Sequence, residues 1–176
     1  MKKAILFIFL IFFSNNIFAV DGFYDLKFGM SVEQVLKLNY CSFKFDDKID
    51  NSDGSWDTFV TDFNRLKFYD CEDFKSGNWT FSLLLTFIDN KLKRVILRVN
   101  KNKVFNQVLV KELKKKYGYR NADGAVKYSS QLYIFDDKTV EAEVYDDNSM
   151  YVRYISPDFD KILLEEPGGK KLIDSF

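Results

Sequence analysis

Residues 79–99 read WTFSLLLTFIDNKLKRVILRV, and their pattern is the strongest indication of the architecture. Apolar and polar side chains alternate along residues 79–88, which is the two-residue period of a half-buried β-strand. Asp89-Asn90-Lys91 suits a tight turn, and residues 92–99 then alternate again. The stretch therefore predicts an antiparallel hairpin, around which we expect an antiparallel sheet.

Two other segments carry helical periodicity. Residues 32–38 follow Ser31, which forms an S-x-x-Q capping box with Gln34. Residues 104–117 repeat apolar side chains at helical spacing, and Gly118 suits a left-handed C-terminal cap. This apolar stripe is predicted to face the sheet, and its members are Phe105, Val108, Leu109, Leu113 and Tyr117.

The remaining pattern predicts further strands and one more helix. The strands are expected at residues 22–28, 40–45, 56–63, 66–69, 127–135, 139–145 and 149–155. A short helix is expected from Ser156-Pro157 to Glu166, with proline in its first position. The predicted fold class is α+β, an antiparallel sheet with two main helices packed on one face and a short C-terminal helix.

The order of a helix and then strands occurs twice along the chain. A structural duplication, with repeats at residues 22–99 and 100–155, is one interpretation of this order. Each half is too small to bury its sheet well alone. We expect a single domain over residues 20–166, followed by a C-terminal tail at residues 167–176.

Residues 1–19 have the features of an export signal. Lys2 and Lys3 precede an apolar run, and Ile17-Phe18-Ala19 is a suitable cleavage site. The run of about ten apolar residues is too short for a membrane span, which needs roughly twenty, so no membrane anchor is expected. The protein is predicted to be periplasmic, or secreted, after cleavage of this signal peptide.

The chain has two cysteines, Cys41 and Cys71. An even count in an exported protein predicts a disulfide bond between them. Two separate buried thiols, or a redox pair, are the alternatives. The separation of the two cysteines lacks the Cys-x-x-Cys spacing that lowers a thiol pKa, which favours the structural disulfide.

Composition narrows the classes of function. The chain contains 26 basic and 26 acidic residues, and it contains no histidine. The balance of charge argues against nucleic acid as a partner. The absence of histidine removes the commonest general base and metal ligand, although carboxylate and Ser-Lys chemistry stay open. We predict no catalytic residue, metal site or cofactor, and no enzymatic activity.

Tyrosines and charged residues share strand positions opposite the predicted inner set of apolar side chains. These positions are Tyr133, Tyr145, Tyr151, Arg153, Glu141 and Glu143. An outward row of tyrosines beside charged residues has the composition of a protein-binding face. The alternative is a second buried face that another element covers.

Residues 26–35, with the sequence LKFGMSVEQV, resemble the Gly-Met-Ser/Thr-x-x-Gln/Glu-Val opening of small exported envelope proteins. This group includes the BamE (SmpA) and β-lactamase-inhibitor-protein-like families. The resemblance implies one short helix or a helix pair against an antiparallel sheet, and action by binding other proteins. The chain lacks the lipid-attachment cysteine of BamE and is longer, so a role in outer-membrane assembly is not carried over. No functional residue is carried over either, because the shared motif explains how the helix begins and not a chemical activity.

Together, these features predict an exported protein-binding module. We expect an inhibitor or immunity protein that neutralises a toxin or enzyme acting in the cell envelope. One alternative is an envelope-assembly or stress accessory factor. Another is a carboxylate-dependent cell-wall glycan hydrolase, which requires two acids from different strands to converge in a cleft.

Overall fold

The computed structural model describes residues 20–46, 65–77, 79–99, 102–118, 130–135 and 138–165. The predicted export signal, the predicted strand at residues 56–63 and the C-terminal tail lie outside these ranges. The described chain is mostly antiparallel sheet with three helices, an α+β-like architecture dominated by β-structure. The coarse fold class predicted from the sequence is therefore confirmed.

The described residues form nine strands and three helices. In the described ranges the strands are β1 (Gly22–Phe23), β2 (Leu26–Lys27), β3 (Lys44–Asp46), β4 (Leu66–Ser76), β5 (Trp79–Ile88), β6 (Lys91–Val99), β7 (Ser130–Phe135), β8 (Val140–Tyr145) and β9 (Met150–Ile155). The helices are α1 (Val32–Lys37), α2 (Lys103–Tyr117) and α3 (Phe159–Leu164).

Within the described residues, the main sheet has seven strands in the order β3-β4-β5-β6-β9-β8-β7, and each neighbouring pair is antiparallel. Strands β4, β5 and β6 form one meander, and strands β7, β8 and β9 form a second. The two meanders meet through their last strands, β6 and β9. Helix α1 precedes the first meander and helix α2 precedes the second. The duplication itself stays a prediction.

The hairpin predicted at residues 79–99 is confirmed. Ile88 pairs with Lys91 across the turn, and Asp89 and Asn90 have φ values of 50° and 61°. Two positive φ angles are what a type I′ hairpin turn requires. Thr86 pairs with Arg94 and Phe87 pairs with Leu92, so one residue of β6 bulges between these pairs.

The main hydrophobic core lies on one face of the seven-stranded sheet. Val32 and Val35 of α1 belong to the same buried cluster as Val110 and Leu113 of α2. The strand side chains in this cluster include Leu83, Leu85, Val95, Leu97, Val140, Ala142, Met150 and Val152. Burying apolar area of this kind contributes about 25 cal/mol per Å², which makes this core the main source of stability.

The capping box of the first helix is confirmed. The backbone N–H of Gln34 donates to Ser31 Oγ, and the backbone N–H of Ser31 donates to Gln34 Oε1 at 2.8 Å. Two amides that the helix leaves unpaired at its start are thus satisfied.

Four boundaries differ clearly from the sequence prediction. The strand expected at residues 40–45 is confined to β3, Lys44–Asp46. The strand expected at residues 22–28 is instead the ribbon of β1 and β2, because Tyr24 has a φ of 53° and turns the chain. Strand β4 continues to Ser76, and a register shift between Cys71 and Phe74 interrupts the alternation that would have marked it. Helix α3 begins at Phe159 rather than at the proline.

The apolar stripe predicted for α2 is also wrong in part. Asn106, Val110 and Leu113 are the buried residues of this helix, whereas Val108 is 54% exposed. Asn106 Nδ2 donates to the backbone oxygen of Asn148 at 2.7 Å, which lets a polar residue occupy a buried position. The helix is therefore rotated from its expected orientation, and part of its apolar surface faces outward.

The disulfide between Cys41 and Cys71 is confirmed, with Cα atoms 6.0 Å apart. It ties the segment before β3 to the middle of β4. Among the helices that the structure describes, none is long and apolar enough to span a membrane.

Candidate functional site

A cleft lies between the β1–β2 ribbon, helix α2 and the strands β5, β6 and β9. Its volume is about 990 Å³, at the upper end of the range for ligand pockets. Its apolar lining consists of Phe23, Tyr24, Trp79, Phe81, Leu97, Phe105, Leu109, Leu113, Tyr117 and Tyr154.

The ribbon is held at its place by close backbone packing. A Cβ on Gly22 would lie 2.0 Å from the carbonyl oxygen of Leu26, so only glycine permits this approach of the two strands. The backbone N–H of Gly29 donates to the oxygen of Leu92, and the N–H of Leu92 donates to the oxygen of Met30, both at 2.8 Å. These bonds tie the end of the ribbon to the start of β6.

Helix α2 is held on the other side of the cleft by polar contacts. Asn102 caps its start, since Asn102 Oδ1 accepts from the backbone N–H of Phe105 at 3.0 Å. Asn106 binds the turn between β8 and β9, as described above. The ammonium group of Lys114 lies 4.8 Å from the centre of the Tyr133 ring on β7. The helix is therefore fixed at both ends relative to the second meander.

Exposed aromatic rings stand at the edge of the cleft. Trp79 is 48% exposed and lies against Phe105, with the ring centres 4.4 Å apart. Tyr24 is 57% exposed, and its hydroxyl shares a hydrogen bond of 2.5 Å with Ser76 Oγ. Large rings held in place but open to solvent are the side chains that most often anchor a binding partner.

The polar lining of the cleft is small and balanced in charge. Lys27 Nζ lies 2.9 Å from Asp21 Oδ1 in an exposed ion pair. Glu112 and Lys116 of α2 also line the cleft. At the base of the cleft, burial raises the pKa of Tyr154, so this phenol is neutral at physiological pH.

The structure separates Tyr133 from the other five residues of the predicted tyrosine face. Tyr133 packs against the main core beneath α2, beside Lys114 and Phe135. The others project from β8 and β9 on the opposite side of the sheet, where the rings of Tyr145 and Tyr151 meet edge to face at 5.6 Å.

The charged members of that predicted face are engaged with one another. Arg153 Nη2 lies 2.6 Å from Glu143 Oε2, and Ser130 Oγ donates to Glu143 Oε1 at 2.7 Å. Both side chains of the ion pair are largely buried. Burial raises the pKa of Tyr145 to about 12, and the Glu143 charge adds to this effect. These contacts leave little charged surface for a partner.

The pKa values of two carboxyl groups in this network are shifted in opposite directions. Burial raises the pKa of Glu141 despite the neighbouring arginines. Burial also opposes ionisation of Glu143, but hydrogen bonds from Arg153 and Ser130 outweigh it and hold the Glu143 pKa below its usual value. This network therefore contains one carboxyl group whose ionisation is disfavoured, Glu141, and one whose ionisation is favoured, Glu143. The two residues are two positions apart on β8.

Arg94 lies buried on the same side of the sheet, beneath α3. Its guanidinium carbon is 5.0 Å from the centre of the Phe159 ring, and Arg94 Nε donates to Thr86 Oγ1 at 3.3 Å. Burial, together with the charge of Arg153, lowers the pKa of Arg94 to about 9, so it remains protonated at neutral pH. Helix α3 covers this part of the face and fixes the arginine.

A family model described as "Uncharacterised protein" matches residues 23–175. The chain belongs to that family. The matched residues include all three helices and strands β2 to β9, so most of the cleft lies within them. No curated protein and no solved structure matches the chain at a significant level.

The cleft was not identified from the sequence, although one signal for it was present. Apolar residues of α2 occupy positions 104, 105, 108, 109, 110 and 113, which is a wider stripe than one sheet contact needs. A stripe of this width indicates a second apolar contact of the helix. Trp79 and Tyr24 gave no comparable signal, because their exposure depends on how the strand ends and the ribbon are placed.

Cys41, Cys71 and Asp73 form a cluster of metal-ligand types in the described part of the chain. The two sulfurs are joined in the disulfide, and the thiolate is the form of cysteine that binds metals. The cluster therefore offers no pair of thiolate ligands.

Proposed function

We propose that the protein is an exported protein-binding module, namely an inhibitor or immunity protein that neutralises a toxin or enzyme acting in the cell envelope. Its predicted export signal at residues 1–19 and its disulfide support action in an oxidising compartment. The aromatic cleft provides the binding site.

The observation that carries this proposal is the exposure of Trp79 and Tyr24 at the edge of a preformed cleft. The apolar surface of an exposed ring contacts water in the free protein. Its burial in a complex removes this surface from water, which favours association. Both rings have a partner that holds them in place, since Trp79 packs against Phe105 and Tyr24 is hydrogen-bonded to Ser76. A rigid site of this kind binds without a large ordering cost.

The glycan hydrolase alternative is less well supported by the acids that the structure describes. Opposite pKa shifts, as at Glu141 and Glu143, are typical of acid–base pairs. However, these two residues project side by side from one strand, and Glu143 is already bound by Arg153. The cleft lining contains two acids, Asp21 and Glu112, but both are exposed to solvent and Asp21 is paired with Lys27. A hydrolase needs its two carboxyl groups on opposite sides of a bound sugar.

Affinity capture followed by an activity assay tests the proposal. The mature protein, immobilised, is incubated with periplasmic extract from its own host, and a partner in stoichiometric amount is expected. The activity of that partner should then fall to zero as the protein is added to an equimolar amount. Recovery of no stoichiometric partner, or of a partner whose activity is unaffected, would contradict the proposal.

The envelope-assembly alternative makes a different prediction for a deletion strain. An immunity protein is dispensable when its toxin is absent, whereas an assembly factor is needed in every condition. Envelope defects in a strain without the cognate toxin would therefore favour the alternative.

A further inference from the structure

Helix α2 extends the apolar surface of the cleft onto its outer side. Val104 is 71% exposed and Val108 is 54% exposed, and the two lie one helical turn apart. Their sequence neighbours Phe105 and Leu109 line the cleft. An apolar strip therefore continues from the mouth of the cleft over the helix.

The same outer side of α2 carries two exposed lysines, Lys111 and Lys115. The helix contains five lysines and one acidic residue, although the chain as a whole is balanced in charge. Lys111 and Lys115 follow Val104 and Val108 on one helical face, at spacings of three and four residues. We call these four residues the outer strip of α2, and all of them are exposed.

The helix dipole explains only part of this lysine content. Lysines in the last turn interact favourably with the C-terminal end of the helix, which accounts for Lys114, Lys115 and Lys116. Lys103 occupies the first turn, where a positive charge is unfavourable, and Lys111 lies before the last turn. The helix dipole therefore does not account for Lys111 of the outer strip.

We propose that the cleft and the outer strip of α2 together bind an acidic segment of the partner protein that also carries apolar side chains. The apolar side chains enter the cleft beside Trp79 and Phe105, and the acidic groups face Lys111 and Lys115. This inference rests on the proposed function and specifies the chemistry of the partner. Charge complementarity of this type mainly gives specificity and fast association.

A membrane surface is the competing occupant, since basic and aromatic side chains also suit anionic lipid. The concave shape favours protein, because a cleft of about 990 Å³ between a helix and a ribbon accepts inserted side chains and not a flat bilayer.

A displayed library of random peptides, selected on the immobilised mature protein, tests the inference without knowledge of the natural partner. We expect the selected peptides to combine aspartate or glutamate with aromatic or aliphatic residues. One selected peptide is then synthesised with a fluorescent label, and its dissociation constant is measured by anisotropy. Selection of no peptide, or of peptides without an excess of acidic residues, would overturn the inference.

Charge reversal locates the binding surface. The double variant Lys111→Glu/Lys115→Glu should weaken binding of the labelled peptide about tenfold, as expected for two exposed charge pairs. The matched control is Lys37→Glu/Lys67→Glu, which reverses two exposed lysines outside the cleft and should leave the affinity unchanged. Circular dichroism and urea unfolding check that both variants fold. Equal affinities of the two double variants would contradict the proposed surface.

Two further arms separate this inference from its alternatives. In the first, the protein binds phosphatidylglycerol vesicles, the Lys111→Glu/Lys115→Glu variant does not, and no peptide is selected. This result would assign the surface to membranes and overturn the inference. A natural partner whose binding requires Trp79 but not Lys111 and Lys115 would leave the proposed function intact and refute the acidic segment. If neither set of residues affects binding of the natural partner, both proposals fail.

Discussion

The indole ring of Trp79, where β5 begins, and the ring of Phe105, in the first turn of α2, lie with their centres 4.4 Å apart. This contact joins the two sides of the cleft edge. Phe81 continues the group, with its ring centre 5.9 Å from that of Phe105. The edge of the cleft is therefore built by packing between elements that are distant in the sequence.

The contact between Trp79 and Phe105 should be measurable as a coupling energy. The variants Trp79→Ala and Phe105→Ala, and the double variant, form a thermodynamic cycle in urea unfolding. We expect a coupling of about 0.5–1.5 kcal/mol, which is usual for packed aromatic pairs. Strictly additive effects would show that the two rings do not stabilise each other.

Reduction of the disulfide should destabilise the protein. The Cys41–Cys71 bond closes a loop with a sequence separation of 30 residues, and the unfolded-state entropy that this bond removes corresponds to about 3.6 kcal/mol of stability. Urea unfolding with and without dithiothreitol measures the difference. The variant Cys41→Ser/Cys71→Ser is the control, because its stability should be low and insensitive to the reductant. Equal midpoints for the oxidised and reduced wild type would contradict the prediction.

The buried side-chain amide of Asn106 should contribute more to stability than the exposed side chain of Gln107. Asn106→Ala removes the hydrogen bond to the backbone oxygen of Asn148 and is expected to cost about 1–3 kcal/mol of unfolding free energy. Gln107→Ala, at the adjacent exposed position, should change stability by less than about 0.5 kcal/mol. A similar effect of both substitutions would exclude a special role for the Asn106 contact.

Glu141 and Glu143 should have opposite effects on the pH dependence of stability. The pKa of Glu143 is held below its ordinary value of 4.5, so the stability from this group is present above pH 4.5 and is lost as the pH falls through the lowered pKa. The pKa of Glu141 is raised above 4.5, so its ionisation lowers stability as the pH rises from 4.5 through the raised pKa.

At pH 7 we therefore expect Glu143→Gln to lower the unfolding free energy by about 1–3 kcal/mol, and Glu141→Gln to raise it. Both differences should shrink below pH 4.5. Urea titrations of the two variants and the wild type at several pH values make the comparison. A loss of stability at pH 7 in both variants would show that Glu141 is stabilised as the anion, contrary to the pKa direction assigned to it.

The parts of the fold that follow from local rules were predictable from the sequence. The β5–β6 hairpin depends on alternation and on Asp89 and Asn90, which tolerate positive φ, and the start of α1 depends on Ser31 and Gln34. The rotation of α2 was not predictable, because a polar residue, Asn106, is buried through a hydrogen bond to a turn that is distant in the sequence.

The candidate site was less predictable for the same reason. The alternation along β8 and β9 correctly placed Tyr145 and Tyr151 on the same face of the sheet. It did not show that Arg153 and Glu143, on that face, form a largely buried ion pair. The sequence prediction assigned Tyr133 to the wrong face of β7. Tyr133 pairs with Ala142, a core residue of β8, and therefore lies on the side of the sheet that α2 covers.

The most direct test of the account measures how Trp79 affects binding of the captured partner. Isothermal titration calorimetry with the wild type, Trp79→Ala and Phe45→Ala gives three dissociation constants. Phe45 is the matched control, because it is 54% exposed and lies on β3 outside the cleft. We predict that Trp79→Ala weakens binding by about 30-fold or more, as for an aromatic hot spot, while Phe45→Ala stays near the wild type. A dissociation constant for Trp79→Ala equal to that of the wild type would contradict the claim that the cleft is the binding site.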